Sequence, residues 1–168
     1  MKAMRTNPGV CFVLVAMLLV MPVARASGLD LHWLWDDRCA DCHGHAGDFA
    51  RKFLSVSDGE LQGAHHVHDL RRFLHSHYLA GNEVNAVYRM LLAQASSQAR
   101  FRTECMRCHD TAARLVRNSL EVRDRVLYIR HSGRPVSHFL GHHMELSPDA
   151  VVFYTNLLTR VADEVYRP

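Results

Sequence analysis

Cys39-Ala40-Asp41-Cys42-His43 and Cys105-Met106-Arg107-Cys108-His109 are two copies of one pattern, C-x-x-C-H. In that pattern two thiols bond covalently to a porphyrin and the histidine binds its iron, so each copy predicts one c-type haem. The spacing has a helical reason. Positions i, i+3 and i+4 share one face of a helix, so both sulfurs and the imidazole can meet one flat cofactor. A C-x-x-C pair also occurs in thioredoxin-like redox sites and as half of a zinc site. Neither rival accounts for a histidine after both pairs, and the βαβ pattern that a thioredoxin needs is not found.

Residues 1–26 have the three parts of a secretory signal. Lys2 and Arg5 stand in front, an apolar run extends from Val10 to Met21, and Ala24-Arg25-Ala26 forms a small-x-small cleavage site. The mature chain is expected to start at Ser27 and to be periplasmic. The apolar run is short of the ~20 residues that span a bilayer, so no membrane span is expected after cleavage. Cys11 lies inside this segment, and the four other cysteines all belong to the two motifs, which leaves none for a disulfide framework. Lys2, Arg5 and Arg25 also carry the whole positive excess, leaving 17 basic and 17 acidic residues beyond position 26. A nucleic-acid partner needs a basic surface, and this balance does not supply one.

Cys39 and Cys105 lie 66 positions apart, and sliding the chain on itself by that offset aligns far more than the motifs. Between residues 39–92 and 105–158, sixteen of 54 pairs are identical. About three would be expected by chance at roughly 6% per position. The chain is therefore a tandem duplication. Shared pairs include Leu54/Leu120, Val56/Val122, Asp58/Asp124, His65/His131, Phe73/Phe139, His77/His143 and Tyr88/Tyr154. Each copy ends in an amphipathic helix: Val84, Val87, Tyr88, Leu91 and Leu92 follow i, i+3, i+4, i+7, i+8, and Ala150, Phe153, Tyr154, Leu157 and Leu158 repeat it. Ser147-Pro148 reads as the start of the second, with serine as N-cap and proline at the first helical position.

Strand signals are nearly absent from this reading. Each copy reads as a short helix at the motif, a second short helix, a Gly/His-rich loop and a closing helix. The expected fold is all-α, with residues 27–98 and 99–168 as two helical domains, each wrapped around one covalent haem. A unit of about 66 residues is marginal for an independent core, so the cofactor is expected to act as its hydrophobic centre.

On these motifs the chain resembles a two-haem member of the class I cytochrome c superfamily, built from two mono-haem domains. Cys42-His43-Gly44-His45-Ala46-Gly47 is similar to that family's C-H-G-x-x-G continuation. The resemblance implies Cys39, Cys42, Cys105 and Cys108 as thioether anchors and His43 and His109 as proximal iron ligands. The domains are shorter than is usual there, and the first offers no obvious distal methionine.

If the duplication preserved its coordination, the sixth iron ligand is a residue present in both copies, which leaves His77/His143 and His65/His131. His77 and His143 are preferred, because each follows a shared Phe-Leu-x-x and stands shortly before the closing helix, where the family carries its distal ligand. His65 and His131 are the second choice, with hydrogen bonding to a loop or a propionate as their plainer role. Met144 is a third candidate for the second iron, but its repeat partner is Tyr78. Met90 and Met106 read as packing.

The function expected is exported one-electron transfer between periplasmic or membrane-bound redox proteins, with two haem c groups as cofactors and no catalytic residue assigned. Two imidazoles on each iron imply lower potentials than histidine/methionine ligation. The alternative is a haem enzyme or small-molecule sensor with one open iron. The histidine-dense run His65-His66-x-His68 could bind a divalent metal, although polar loop histidines are its simpler reading.

Overall fold

The 66-residue register that aligns side chains also aligns secondary structure. The computed structural model describes residues 28–63 and 69–167. In the first copy it places α1 (Leu31–Arg38), α2 (Ala40–His43), α3 (Ala46–Phe53), β1 (Leu54–Ser57), β2 (Glu60–Gly63), α4 (Leu70–His75) and α5 (Asn82–Ala95). In the second it places a π-helical turn (Phe101–Cys105), α6 (Ala112–Ser119), β3 (Leu120–Arg123), β4 (Val126–Ile129), α7 (Val136–Leu140) and α8 (Pro148–Val165). From α3 onward every element of the second copy begins 66 positions after its counterpart.

The expectation of an all-α fold is overturned. Each copy carries a two-stranded antiparallel hairpin, β1–β2 and β3–β4, so the chain is mixed helix and sheet. The registers are themselves repeated, Leu54 facing Gly63 and Leu120 facing Ile129. Asp58-Gly59 and Asp124-Arg125 make the turns, with φ of 52° and 76° in the first and 49° and 63° in the second. Two central residues at positive φ define the hairpin turn whose twist matches the strands, and Asp-Gly is among its strongest sequence signals. That signal was concealed because each strand is four residues long and buries little: Leu61 and Leu127 are inside, whereas Val56 and Val122 face outward.

Helix starts follow local chemistry. Asp30 caps α1 by accepting the N–H groups of His32 and Trp33, Asp69 caps α4 through Arg72 N–H, and Ser147 caps α8 through Ala150 N–H with Pro148 in the first turn. The closing helices α5 and α8 lay Val87, Tyr88 and Leu91, or Tyr154, Leu158 and Val161, against α3 or α6. The buried apolar residues accordingly form two separate clusters, one drawn from residues 31–91 and the other from 101–165.

Polar contacts join the copies. Asp30 accepts both Nε and Nη2 of Arg117 at 2.6 and 3.0 Å, His32 Nε2 lies 2.8 Å from Glu164 Oε2, and Arg102 pairs with Asp48. The N-terminal end of α1 is thus pinned to the second copy while its apolar face belongs to the first. Among the described residues no helix is long and apolar enough to cross a membrane. Residues 1–26, where the export signal is read, and the His65-His66-x-His68 run lie outside the described residues.

Candidate functional site

Each C-x-x-C-H motif closes one tight turn by the same two hydrogen bonds. Cys39 O accepts the N–H groups of Cys42 (3.2 Å) and His43 (2.9 Å), and Cys105 O accepts those of Cys108 (3.1 Å) and His109 (2.9 Å). The turn brings the first cysteine and the histidine to one side, as the spacing requires, although the second motif leaves a π-helical turn and not an α-helix. After the first motif, Gly44 adopts φ 66° with open space around its α-carbon, so the glycine is needed for backbone direction and not for room. Its carbonyl accepts the indole N–H of buried Trp35 at 2.8 Å.

The two preferred distal histidines occupy matching places. His77 N–H bonds Leu74 O and His143 N–H bonds Leu140 O, both at 3.1 Å, at the ends of α4 and α7. The next residue reverses the chain at positive φ in each copy, Tyr78 at 64° and Met144 at 57°. Phe73 stacks on the His77 ring at 4.6 Å and Phe139 on His143 at 4.9 Å, fixing each imidazole from behind.

These loops place His77 opposite His43 and His143 opposite His109. The ring centroids are 5.9 Å apart in the first pair and 6.1 Å in the second. Imidazole bonds to a first-row metal are ~2.0 Å long, so one ion held between two such rings separates their centres by about 6 Å. Both pairs meet that span, and the residues present therefore fit an axially ligated iron. Phe49 meets the His43 ring edge-on at 4.6 Å. In the second copy Cys105, Cys108, His109 and His143 line a cavity of about 490 Å³ walled by Leu120, Ile129, Leu140 and Leu158. An apolar, concave wall of that kind suits a flat macrocycle.

Of the other candidates, His131 is exposed and lines the mouth of the same cavity, and Met144 lines it while 67% exposed. Neither pairs with His109 as His143 does. His65 lies outside the described residues. Trp33 is exposed, whereas Trp35 is core beside His43, with ring centroids 6.2 Å apart.

Among the described residues the four motif cysteines form no disulfide. Burial pushes the Cys39 and Cys105 thiols up from their ordinary range, against the weaker opposing pull of Arg38 on one and the Tyr154 hydrogen bond on the other. A reactive dithiol needs the opposite shift. Burial, and then the neighbouring His77, pull His43 down and favour the neutral imidazole that can ligate a metal. Among the described residues no three His, Cys, Asp or Glu side chains converge on a point, so the thiols and imidazoles do not form a tetrahedral zinc set.

The sequence reading missed the second copy's polar clasp. Tyr154 O–H donates to Glu104 Oε2 at 2.6 Å, with Arg100 on the same carboxylate. Burial and that hydrogen bond raise the Tyr154 phenol well above its usual range. The repeat could not have shown it, since Glu104 and Arg100 correspond to Arg38 and Leu34 in the first copy. Phe73 and Phe139, which stack on His77 and His143, were legible as identical repeat partners four residues before those histidines.

Comparison of the chain with protein-family models, with curated proteins and with solved structures finds no match in any of the three.

Proposed function

We propose that the chain is an exported two-haem c-type cytochrome that transfers single electrons between redox proteins. The observation that carries this reading is the paired imidazoles: His43 with His77 at 5.9 Å and His109 with His143 at 6.1 Å, each pair beside a C-x-x-C-H turn. Cys39 and Cys42 would anchor one haem and Cys105 and Cys108 the other. The group supplies one-electron exchange at iron when bound.

The chain's own residues do the rest. His43 and His77 would hold one iron and His109 and His143 the other, with Phe73 and Phe139 stacked on the His77 and His143 rings. Were both imidazoles of each pair to bind one iron, no coordination site would be left open to small molecules, which favours a carrier over an enzyme. The second cavity's apolar walls would lower the dielectric around a bound macrocycle.

The test is the intact mass and optical spectrum of protein exported from a host with haem-attachment machinery. Two covalent haem additions, low-spin spectra and little carbon monoxide uptake by the reduced protein are expected. A mass without haem would end the proposal; ready carbon monoxide binding would favour the alternative of an open iron with catalytic or sensory chemistry.

A further inference from the structure

At three positions in one short stretch the copies carry opposite charges: Asp36, Asp41 and Asp48 of the first align with Arg102, Arg107 and Arg114 of the second. Part of this exchange is used inside the chain, since Arg102 pairs with Asp48 across the copies. Arg114 is held by Asp110, four residues before it. The one exchange that runs the other way, Arg38 for Glu104, is neutralised within each copy by Glu83 and by Arg100. Asp41 and Arg107 are left over. Each is exposed, each stands between the two cysteines of its motif, and neither forms an ion pair among the described residues.

The first copy adds an aromatic anchor to its charge. Leu31 and Leu34 of α1 are buried in the first core, and His32, Trp35 and Asp36 line the space between the copies. Trp33 and Asp37, one helical turn apart, occupy the remaining face. Trp33 is 66% exposed and has no ring contact among the described residues; Asp37 is exposed and has no ion pair among them. A lone exposed apolar side chain is ordinary on a protein surface. A large indole beside uncompensated carboxylates is not, because tryptophan is the residue type most often found to anchor protein interfaces. The core and the seam between the copies use the other faces of α1, so nothing in the described chain covers this one.

We infer that this face docks a second copy of the chain, the first motif's surface of one against the second motif's surface of the other. Charge makes the choice, because Arg107 of one chain is complementary to Asp37 and Asp41 of the other. Met106, 39% exposed beside Arg107, offers its thioether to the indole of Trp33. Like surfaces are rejected, since two first motifs oppose aspartates and two second motifs oppose arginines. Each chain carries one surface of each kind, so a two-fold dimer closes both contacts at once and association stops at two. An exposed ion pair alone contributes little; Trp33 therefore carries most of the affinity and the charges fix the orientation. The dimer sets each first motif beside a second motif of the other chain. The inference goes beyond the electron-transfer reading and does not depend on it.

The test is sedimentation velocity of the mature holoprotein over a concentration series at low and moderate salt, with haem content read by mass on the same samples. A monomer–dimer equilibrium that weakens as salt rises is expected. Trp33→Ala should weaken the dimer roughly tenfold or more. Asp41→Arg and Arg107→Asp should each leave the chain monomeric. Mixed, the two variants should form a one-to-one dimer, because one contact is then native and the other has its charges exchanged; the chain carrying both substitutions should dimerise with itself. Should Trp33→Ala not fold, the mixture decides. A wild type that stays monomeric throughout, leaving the face to some other basic protein, overturns the inference. So does a dimer indifferent to both charge reversals, or a mixture that stays monomeric. Protein that lacks haem yet dimerises in this way keeps the inference and removes the carrier, and a haem-loaded monomer does the reverse.

Discussion

Asp30 sits where two roles coincide, capping α1 and pairing with Arg117 of the other copy, and replacing it should separate them. Its carboxylate accepts His32 N–H and Trp33 N–H, both at 3.0 Å, and takes Arg117 Nε and Nη2 at 2.6 and 3.0 Å. The side chains of Asp30 and Arg117 are 21% and 26% exposed, so solvent screens the pair only in part. Asp30→Asn keeps an adequate helix cap and removes the charge; Asp30→Ala removes both. Hydrogen bonds to charged groups contribute roughly 1.5–3 kcal/mol and caps about 1 kcal/mol. With some solvent screening, Asn should cost about 1–2 kcal/mol and Ala about 2–3 kcal/mol at neutral pH. At roughly 3–5 °C per kcal/mol for a chain of this size, the midpoints fall in that order. Burial pushes the Asp30 carboxyl up, but the hydrogen bonds from Arg117 and Trp33 and the Arg117 charge outweigh it and hold it below the usual carboxylate range. A depressed folded-state value means that the stabilisation is complete above the unfolded value of about 3.9 and disappears as pH falls through the folded one. Thermal unfolding of holoprotein by circular dichroism, from pH 7 down to about 2.5, measures this. Equal stability of wild type and Asp30→Asn at pH 7, or a gap between them that persists at the acid end, would refute the reasoning.

His143→Ala should open the second iron while leaving the first closed, giving one carbon monoxide bound per reduced chain, and His77→Ala should give the converse. Met144→Leu should leave the oxidised spectrum unchanged; loss of a sulfur-to-iron charge-transfer band on that substitution would shift the second distal ligand from His143 to Met144. Arg125 holds φ 63° in its hairpin turn where the first copy has glycine, so Arg125→Gly should stabilise by about 0.5–1 kcal/mol in urea unfolding. Val116 is fully buried between α6 and α8, and Val116→Ala should cost on the order of 1–3 kcal/mol by the same assay.

Spacing alone disclosed the motifs, the 66-residue register and the closing helices, because a short motif, a tandem repeat and helical periodicity all leave fixed intervals in a sequence. The register also narrowed the distal ligand to two histidine pairs, since a duplication that keeps its coordination must keep the ligand twice. The hairpins escaped this reading, although Asp58-Gly59 marks the first turn. Four-residue strands with one buried face resemble loop, and Asp124-Arg125 lacks the glycine that would have flagged the second. Which rings meet lies in three dimensions: the ends of α4 and α7 bring the His77 ring to 5.9 Å from His43 and the His143 ring to 6.1 Å from His109. The contact between the copies is tertiary in the same sense. Asp30 and Arg117 are not repeat partners, and only the docking of one copy on the other brings their side chains to 2.6 Å.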